Sequence, residues 1–258
     1  MMEEIAPHRL AERWDNPGLQ IGSLNQVIKS IYFSLDPTVD SIKRAASKKV
    51  DLLVTHHPLI FRPISKLDIA DYPAKVIKEA IENRISIVSF HTNLDSSKEG
   101  INAILAELLS LNRVSVLREL EEDVGLGRIG YLKNAMPLKD FLISLKEIFE
   151  IQKIRIVCKK EDLDKPIKKI AVVGGSGRDL IPDAIEKGAD VMITGDIGYH
   201  DALNALFNGL ILVDAGHFCL EKKAFNIFAR QFSEKIIKNG FEVDIIIDKE
   251  EKDPFMIV

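Results

Sequence analysis

Short apolar stretches that read as strands alternate with amphipathic stretches that read as helices, and this alternation restricts the fold more than any other feature of the chain. Val27–Leu35 predicts a strand, and Asp36-Pro37 then starts a helix through about Lys49, with Asp36 as N-cap and Pro37 at the first helical position. Asp51–Val54 is short and apolar and predicts a fully buried strand. A long loop leads to a helix over 73–83, where Val76, Ile77, Ala80 and Ile81 recur at helical spacing. A strand over 85–90 and an amphipathic helix over 101–111 follow. The order β-α-β-α-β-α predicts a mostly parallel sheet with crossover helices.

The second half repeats the pattern. Strands are predicted over 128–132, 151–158, 169–173, 191–194, 210–213 and 241–247, and helices over 138–149, 180–187, 199–207 and 217–238. Around Glu119–Gly127 the chain turns acidic and glycine-bearing, which predicts a boundary. The expected organisation is a first α/β lobe over 1–125, a second over 126–216, and a C-terminal helix and strand over 217–258 that carries Glu221 and packs back at the lobe interface. The fold class is α/β, two lobes with mostly parallel or mixed sheets flanked by helices. Trp14-Asp15-Asn16-Pro17-Gly18 holds strong turn chemistry beside the only tryptophan, so this loop is expected to be ordered.

Composition narrows the function classes. With 46% hydrophobic and 29% charged residues, the 258-residue chain has the make-up of a soluble globular protein. No apolar run nears the roughly 20 residues that span a bilayer, and the N-terminus lacks the pattern of a signal peptide. Two cysteines, Cys158 and Cys219, form no CxxC pattern, so no disulfide framework is expected and the reducing cytoplasm is the default compartment. A net charge of −4 argues against a protein dedicated to nucleic acid. The basic run from Lys153 to Lys169 reads as the solvated surface of a hairpin.

The histidines are informative by position. His56 and His57 follow the strand at 51–54, His91 the strand at 85–90, His217 the strand at 210–213, and His200 lies just past Thr194-Gly195-Asp196. In open parallel sheets, ligands bind outside the carboxyl ends of the strands. Adjacent strand residues point to opposite faces, so His56 and His57 reach one place only if the chain leaves β geometry, as Pro58 encourages. The pair then suggests metal ligation; two partly exposed loop histidines is the bland alternative. Asp95 ends His91-Thr92-Asn93-Leu94-Asp95, and Glu221 follows His217 by one helical turn. Three histidines and two carboxylates, His56, His57, His217, Asp95 and Glu221, exceed the needs of one tetrahedral ion that also binds water. They suggest two ions about 3.5–4 Å apart. Gly174-Gly175-Ser176-Gly177, between a strand and a helix, reads either as a phosphate or ligand loop or as a tight turn; Leu180 stands where a dinucleotide fingerprint needs its third glycine.

Trp14-Asp15-Asn16-Pro17-Gly18-Leu19, Thr55-His56-His57-Pro58-Leu59-Ile60-Phe61, His91-Thr92-Asn93-Leu94-Asp95, Gly174–Gly177, Thr194-Gly195-Asp196, Tyr199-His200-Asp201-Ala202 and Asp214-Ala215-Gly216-His217…Glu221 together resemble the Nif-three-like family, whose members are also described as type-two homologues of GTP cyclohydrolase I. The motifs run in the family's order over nearly the whole chain. The resemblance implies two α/β lobes with a dinuclear metal centre between them, and a ring-shaped hexamer built as a trimer of dimers. Its ligands map onto His56, His57, Asp95, His217 and Glu221, the set reached by spacing, with His91 and His200 as proton-transfer or orienting groups. The chain begins inside the family's usual first helix, so the first lobe is expected to be slightly trimmed, and the middle region has no room for the domain some members insert. The implied cofactors are two divalent ions, zinc, iron or manganese alike.

Three functions follow from the resemblance. The first is a metal-dependent hydrolase acting on a nucleotide, in which a metal-activated water attacks guanine C8 and formate leaves. The second is a protein that binds, stores or delivers metal, or a regulatory scaffold. The third is a ring enclosing nucleic acid, against which the acidic net charge weighs.

Overall fold

The computed structural model describes residues 1–256. In chain order its elements are α1 (Met2–Ile5), β1 (Gly18–Ile21), β2 (Ser30–Ser34), α2 (Val39–Ser47), β3 (Leu52–Thr55), α3 (Ala74–Glu82), β4 (Ser86–Ser89) and α4 (Thr92–Ser96). Then come α5 (Ile101–Leu108), β5 (Asn112–Glu121), β6 (Val124–Pro137), α6 (Leu138–Phe149), β7 (Arg155–Val157), β8 (Pro166–Ser176) and α7 (Ile181–Glu186). The chain closes with β9 (Val191–Gly195), α8 (Tyr199–Phe207), β10 (Ile211–Asp214), α9 (His217–Lys238) and β11 (Asp244–Ile247). Among the described residues no helix is long and apolar enough to cross a membrane.

Two compact units divide the chain: Met1–Leu94 with Phe225–Val258, and Asp95–Ala224. The division falls between Leu94 and Asp95, not near residue 125, because Glu119–Gly127 is the tip of a β5–β6 hairpin inside the second unit's sheet. Nor do residues 217–258 stand apart, since α9 contributes to the second unit through Ala224 and to the first from Phe225 onward.

The first unit holds a five-stranded sheet in the order β1-β4-β3-β2-β11. The four inner and C-terminal strands run parallel, and β1 is an antiparallel edge. Both β3 and β4 are largely buried, and their register pairs Thr55 with Ser89, so both strands leave the sheet at one edge. One core packs Ile42, Leu53, Val76, Ala80 and Ile87 between the sheet and its α2 and α3 helices. A second packs Phe33 of β2 against Phe225 and Phe232 of α9, each with ring centroids 5.8 Å away. Phe225, Phe228 and Phe232 recur at helical spacing and stack in turn, which is why α9 presents an aromatic face to this sheet. Asp36 is not the cap of α2. Thr38 is, in a reciprocal capping box with Ser41 (3.0 and 2.8 Å), which leaves the Asp36 carboxylate for another partner.

The second unit holds a six-stranded sheet, β5-β6-β8-β9-β10-β7. Only β8, β9 and β10 are mutually parallel, so this sheet is mixed. The sequence reading misses β5 because most of its side chains are exposed and polar, and β1 because its four residues sit inside turn chemistry. The core gathers Leu117, Ile129, Ala171, Met192 and Leu212 from the strands with Ile181, Ala184 and Ala205 from the helices.

Candidate metal centre

In the first unit three imidazoles meet at the carboxyl ends of β3 and β4. The strand β3 ends at Thr55, and the amides of both His56 and His57 then donate to the one carbonyl of Leu35 (3.2 and 3.1 Å). This is the departure from β geometry that lets neighbouring side chains converge, and the Thr55 hydroxyl braces it by donating to His57 O (2.7 Å). Ring centroids lie 5.0 Å apart for His56–His57, 5.3 Å for His56–His91 and 5.5 Å for His57–His91. One nitrogen from each ring lies within 4.8 Å of the others, a group that could hold a metal ion. His56 is fully buried, while His57 and His91 are partly exposed.

Each ring is oriented by an oxygen on its far nitrogen. His56 Nδ1 meets Phe90 O, His57 Nδ1 meets Asp36 Oδ1, and His91 Nδ1 meets Asp15 Oδ1, each at 2.8 Å. A carbonyl accepts and cannot donate, so His56 carries its hydrogen on Nδ1 and presents the lone pair of Nε2. The two carboxylates impose the same tautomer on His57 and His91. Metal-binding histidines are held in this way, and the outer partner fixes ring orientation and raises basicity. Burial alone would raise the Asp15 carboxyl, but the hydrogen bond and charge of His91 and two hydrogen bonds from Thr92 outweigh it and hold it at about 2.

In the second unit His217 opens α9 with carboxylates at both nitrogens, Asp196 Oδ2 on Nδ1 at 2.8 Å and Glu221 Oε2 on Nε2 at 2.9 Å. Asp196 reaches it from the end of β9 with φ +56°, in the left-handed region that aspartate tolerates better than most residues. Glu221 is buried. The glycine run brings its backbone against the His217–Glu221 pair. A Cβ on Gly175 would stand 2.3 Å from Glu221 Oε1, and one on Gly195 2.6 Å from His217 N, so the backbone needs these glycines to approach the His217–Glu221 pair. Two of the run's amides are already satisfied, Gly174 by Asn102 Oδ1 (2.9 Å) and Gly177 by Thr194 Oγ1 (2.8 Å). Buried Asn102 also donates to Asp95 O (3.1 Å), tying that residue to the glycine run. Buried Arg128 donates to Ser97 O (2.7 Å) and so fixes the segment after Asp95. Its guanidinium is pushed down to about 10 by burial, opposed by the Asp95 charge.

His200 behaves differently from the other four. It is exposed on the first turn of α8 and meets Tyr199 edge-on at 5.4 Å; among the described residues it joins no group of metal donors. Sequence reasoning missed Asp15, Asp36, Asp196, Asn102 and Arg128. Asp15 and Asp196 lie inside the motifs above and Asp36 at the predicted start of a helix, so a search for a carboxylate partner to each histidine was the available signal.

The chain matches the family described as Duf34/NIF3 (NGG1p interacting factor 3) over residues 1–254. It belongs to that family. A relative named GTP cyclohydrolase 1 type 2 homolog, from Clostridium acetobutylicum, is 34% identical over 99% of this chain and 95% of its own length. Among solved structures, a Bacillus cereus protein related to NIF3 superposes with a TM-score of 0.94 at 28% identity, covering 99% of this chain and 96% of that one. Reduced HcgD from Methanocaldococcus jannaschii is 35% identical with a TM-score of 0.81, covering 95% and 94%. Membership of the Duf34/NIF3 family accounts for the α/β architecture and for the order of the motifs, and the histidine and carboxylate groups give the chain the means to bind metal.

The outer partners are testable. Asp36→Asn keeps the size of the side chain but offers His57 a weaker and ambiguous acceptor. Metal affinity, measured by competition with a chelator, is expected to fall by about 10–100-fold, the usual effect of losing an outer partner.

Proposed function

We propose that His56, His57, Asp95, His217 and Glu221 hold two divalent cations, zinc, iron or manganese, and that the protein is a metal-dependent hydrolase opening the ring of a nucleotide. One observation carries this reading: all four of these imidazoles, His91 included with His56, His57 and His217, have Nδ1 held by an oxygen at 2.8 Å. His56, His57 and His91, each held in one tautomer, and His217 set between two carboxylates form a donor set that suits a cation of this class.

Divalent cations held by these residues would lower the pKa of bound water and polarise an oxygen of the substrate. The chain's own residues supply the rest. His56 and His57 are fixed donors that need no rearrangement. His91, held by a carboxylate that stays ionised to about pH 2 and itself partly exposed, is placed to move a proton to or from Nε2. His200 has no comparable support, and this reading gives the proton to His91. The nucleotide substrate comes from the relatives' name, GTP cyclohydrolase 1 type 2 homolog, and the product expected on that basis is formate.

The test is metal analysis of the protein as isolated, followed by assay of formate release from GTP with Zn²⁺, Mn²⁺ or Fe²⁺ added. About two ions per chain and release above the metal-only control are expected. Metal retained with no nucleotide turned over would instead assign the donors to metal storage or delivery. The hexamer implied by the resemblance is part of the same proposal; native mass spectrometry is expected to count six chains per particle.

A further inference from the structure

Two aromatic side chains stand in water beside the histidine cluster. Trp14 is 56% exposed and Phe61 46% exposed, and their ring centroids are 5.6 Å apart at 47°. Both meet His91 edge-on, Trp14 at 6.0 Å and 74° and Phe61 at 6.3 Å and 72°. A paired aromatic patch beside a polar cluster, unlike apolar residues scattered singly, is a candidate contact surface.

These rings are not on loose loops. Asn16 Nδ2 donates to Ile60 O (2.6 Å), and Ile60 N donates to Gln20 Oε1 (3.0 Å). Buried Gln20 in turn donates to Asn16 O (2.8 Å), so two hydrogen bonds brace the Trp14 loop against the Phe61 loop and a third ties their partners Asn16 and Gln20 together. Asp15, next to Trp14, has no exposed side-chain surface and is gripped by Thr92 N (3.0 Å) and by His91. The brace fixes both exposed rings beside His91. Rigid aromatics lose little conformational freedom on binding, which makes such a pair an efficient platform.

We propose that Trp14 and Phe61 form a stacking site for a planar heteroaromatic ring, and that the ligand of the histidine cluster is of this class. The proposal rests on the cluster being the working site, as set out above, but the platform needs no metal to bind. Stacking tolerates any flat ring, while the neighbouring imidazoles, which present Nε2 lone pairs, would select one carrying N–H donors on its edge. A bare sugar phosphate lacks the face the platform uses.

Trp14 is the only tryptophan, so its fluorescence reports this site alone. The experiment titrates guanosine, and separately ribose 5-phosphate, into the full chain, both metal-free and loaded with Zn²⁺. Saturable quenching by guanosine in both forms, with none by ribose 5-phosphate, is expected. Phe61→Leu should weaken guanosine binding by about tenfold, the order of one lost stacking contact, and Phe61→Tyr should restore it. No quenching, equal quenching by ribose 5-phosphate, or an unchanged affinity in Phe61→Leu overturns the platform. Zinc stoichiometry measured on the same samples separates the two ideas. Zinc bound with Trp14 silent removes the platform and leaves the metal reading, and Trp14 quenched with no zinc bound does the reverse.

Discussion

His57→Ala is expected to weaken metal binding by more than about a hundredfold while leaving the protein folded. Loss of an outer partner alone costs 10–100-fold, and this change removes the donor atom itself. His57 suits the test because its side chain is 21% exposed, so truncation opens little cavity. His56 does not, since it is fully buried against Phe225 and its removal would leave Phe90 O without its imidazole donor. The check is metal content by elemental analysis together with thermal unfolding. A cation at a hundred times its dissociation constant should stabilise the native chain by about 2.7 kcal/mol, and the variant should keep no more than about 0.4 kcal/mol of it at the same concentration. Native-like metal affinity in His57→Ala would remove this residue from the ligand set.

Phe33→Ala is expected to cost about 3–5 kcal/mol of stability, the range for emptying a fully buried aromatic site. Phe33 has no exposed surface and touches both Phe225 and Phe232, so neither the sheet nor α9 can close over the space without shifting the other. Urea denaturation followed by circular dichroism measures it. Phe33→Leu, which keeps most of the volume, should lose clearly less. Because Phe225 lies between Phe33 and His56, the alanine variant should also bind metal more weakly than the native chain at temperatures where it remains folded. A loss below about 1 kcal/mol would mean that the aromatic stack repacks freely and does not anchor α9.

Much of the architecture is readable from local pattern. The strands β2, β3, β4, β9 and β10 and the full span of α9 follow from runs of apolar residues with the right period, because periodicity is a property of neighbours in the chain. The hairpin strand β5 escapes the same test: its residues face water on most positions, and only pairing with β6 makes it a strand. The expected cap at Asp36 fails for a related reason. Asp36 and Thr38 are both good caps by type, and the second wins once Ser41 closes the box.

The candidate site divides along the same line. That His56, His57, His91 and His217 sit at strand ends is written in the order of the sequence, since a strand followed by a polar residue puts that residue at the sheet's edge. Which nitrogen each presents is not. His91 takes its orientation from Asp15, 76 positions away, and His57 and His217 take theirs from Asp36 and Asp196, each 21 positions away. A hydrogen bond depends on distance and angle in space, and the chain's local periodicity carries no record of which remote carboxylate will arrive within 2.8 Å. The sequence by itself therefore determined the α/β frame and the residue types gathered at its strand ends, while only the tertiary packing decided how those side chains are aimed.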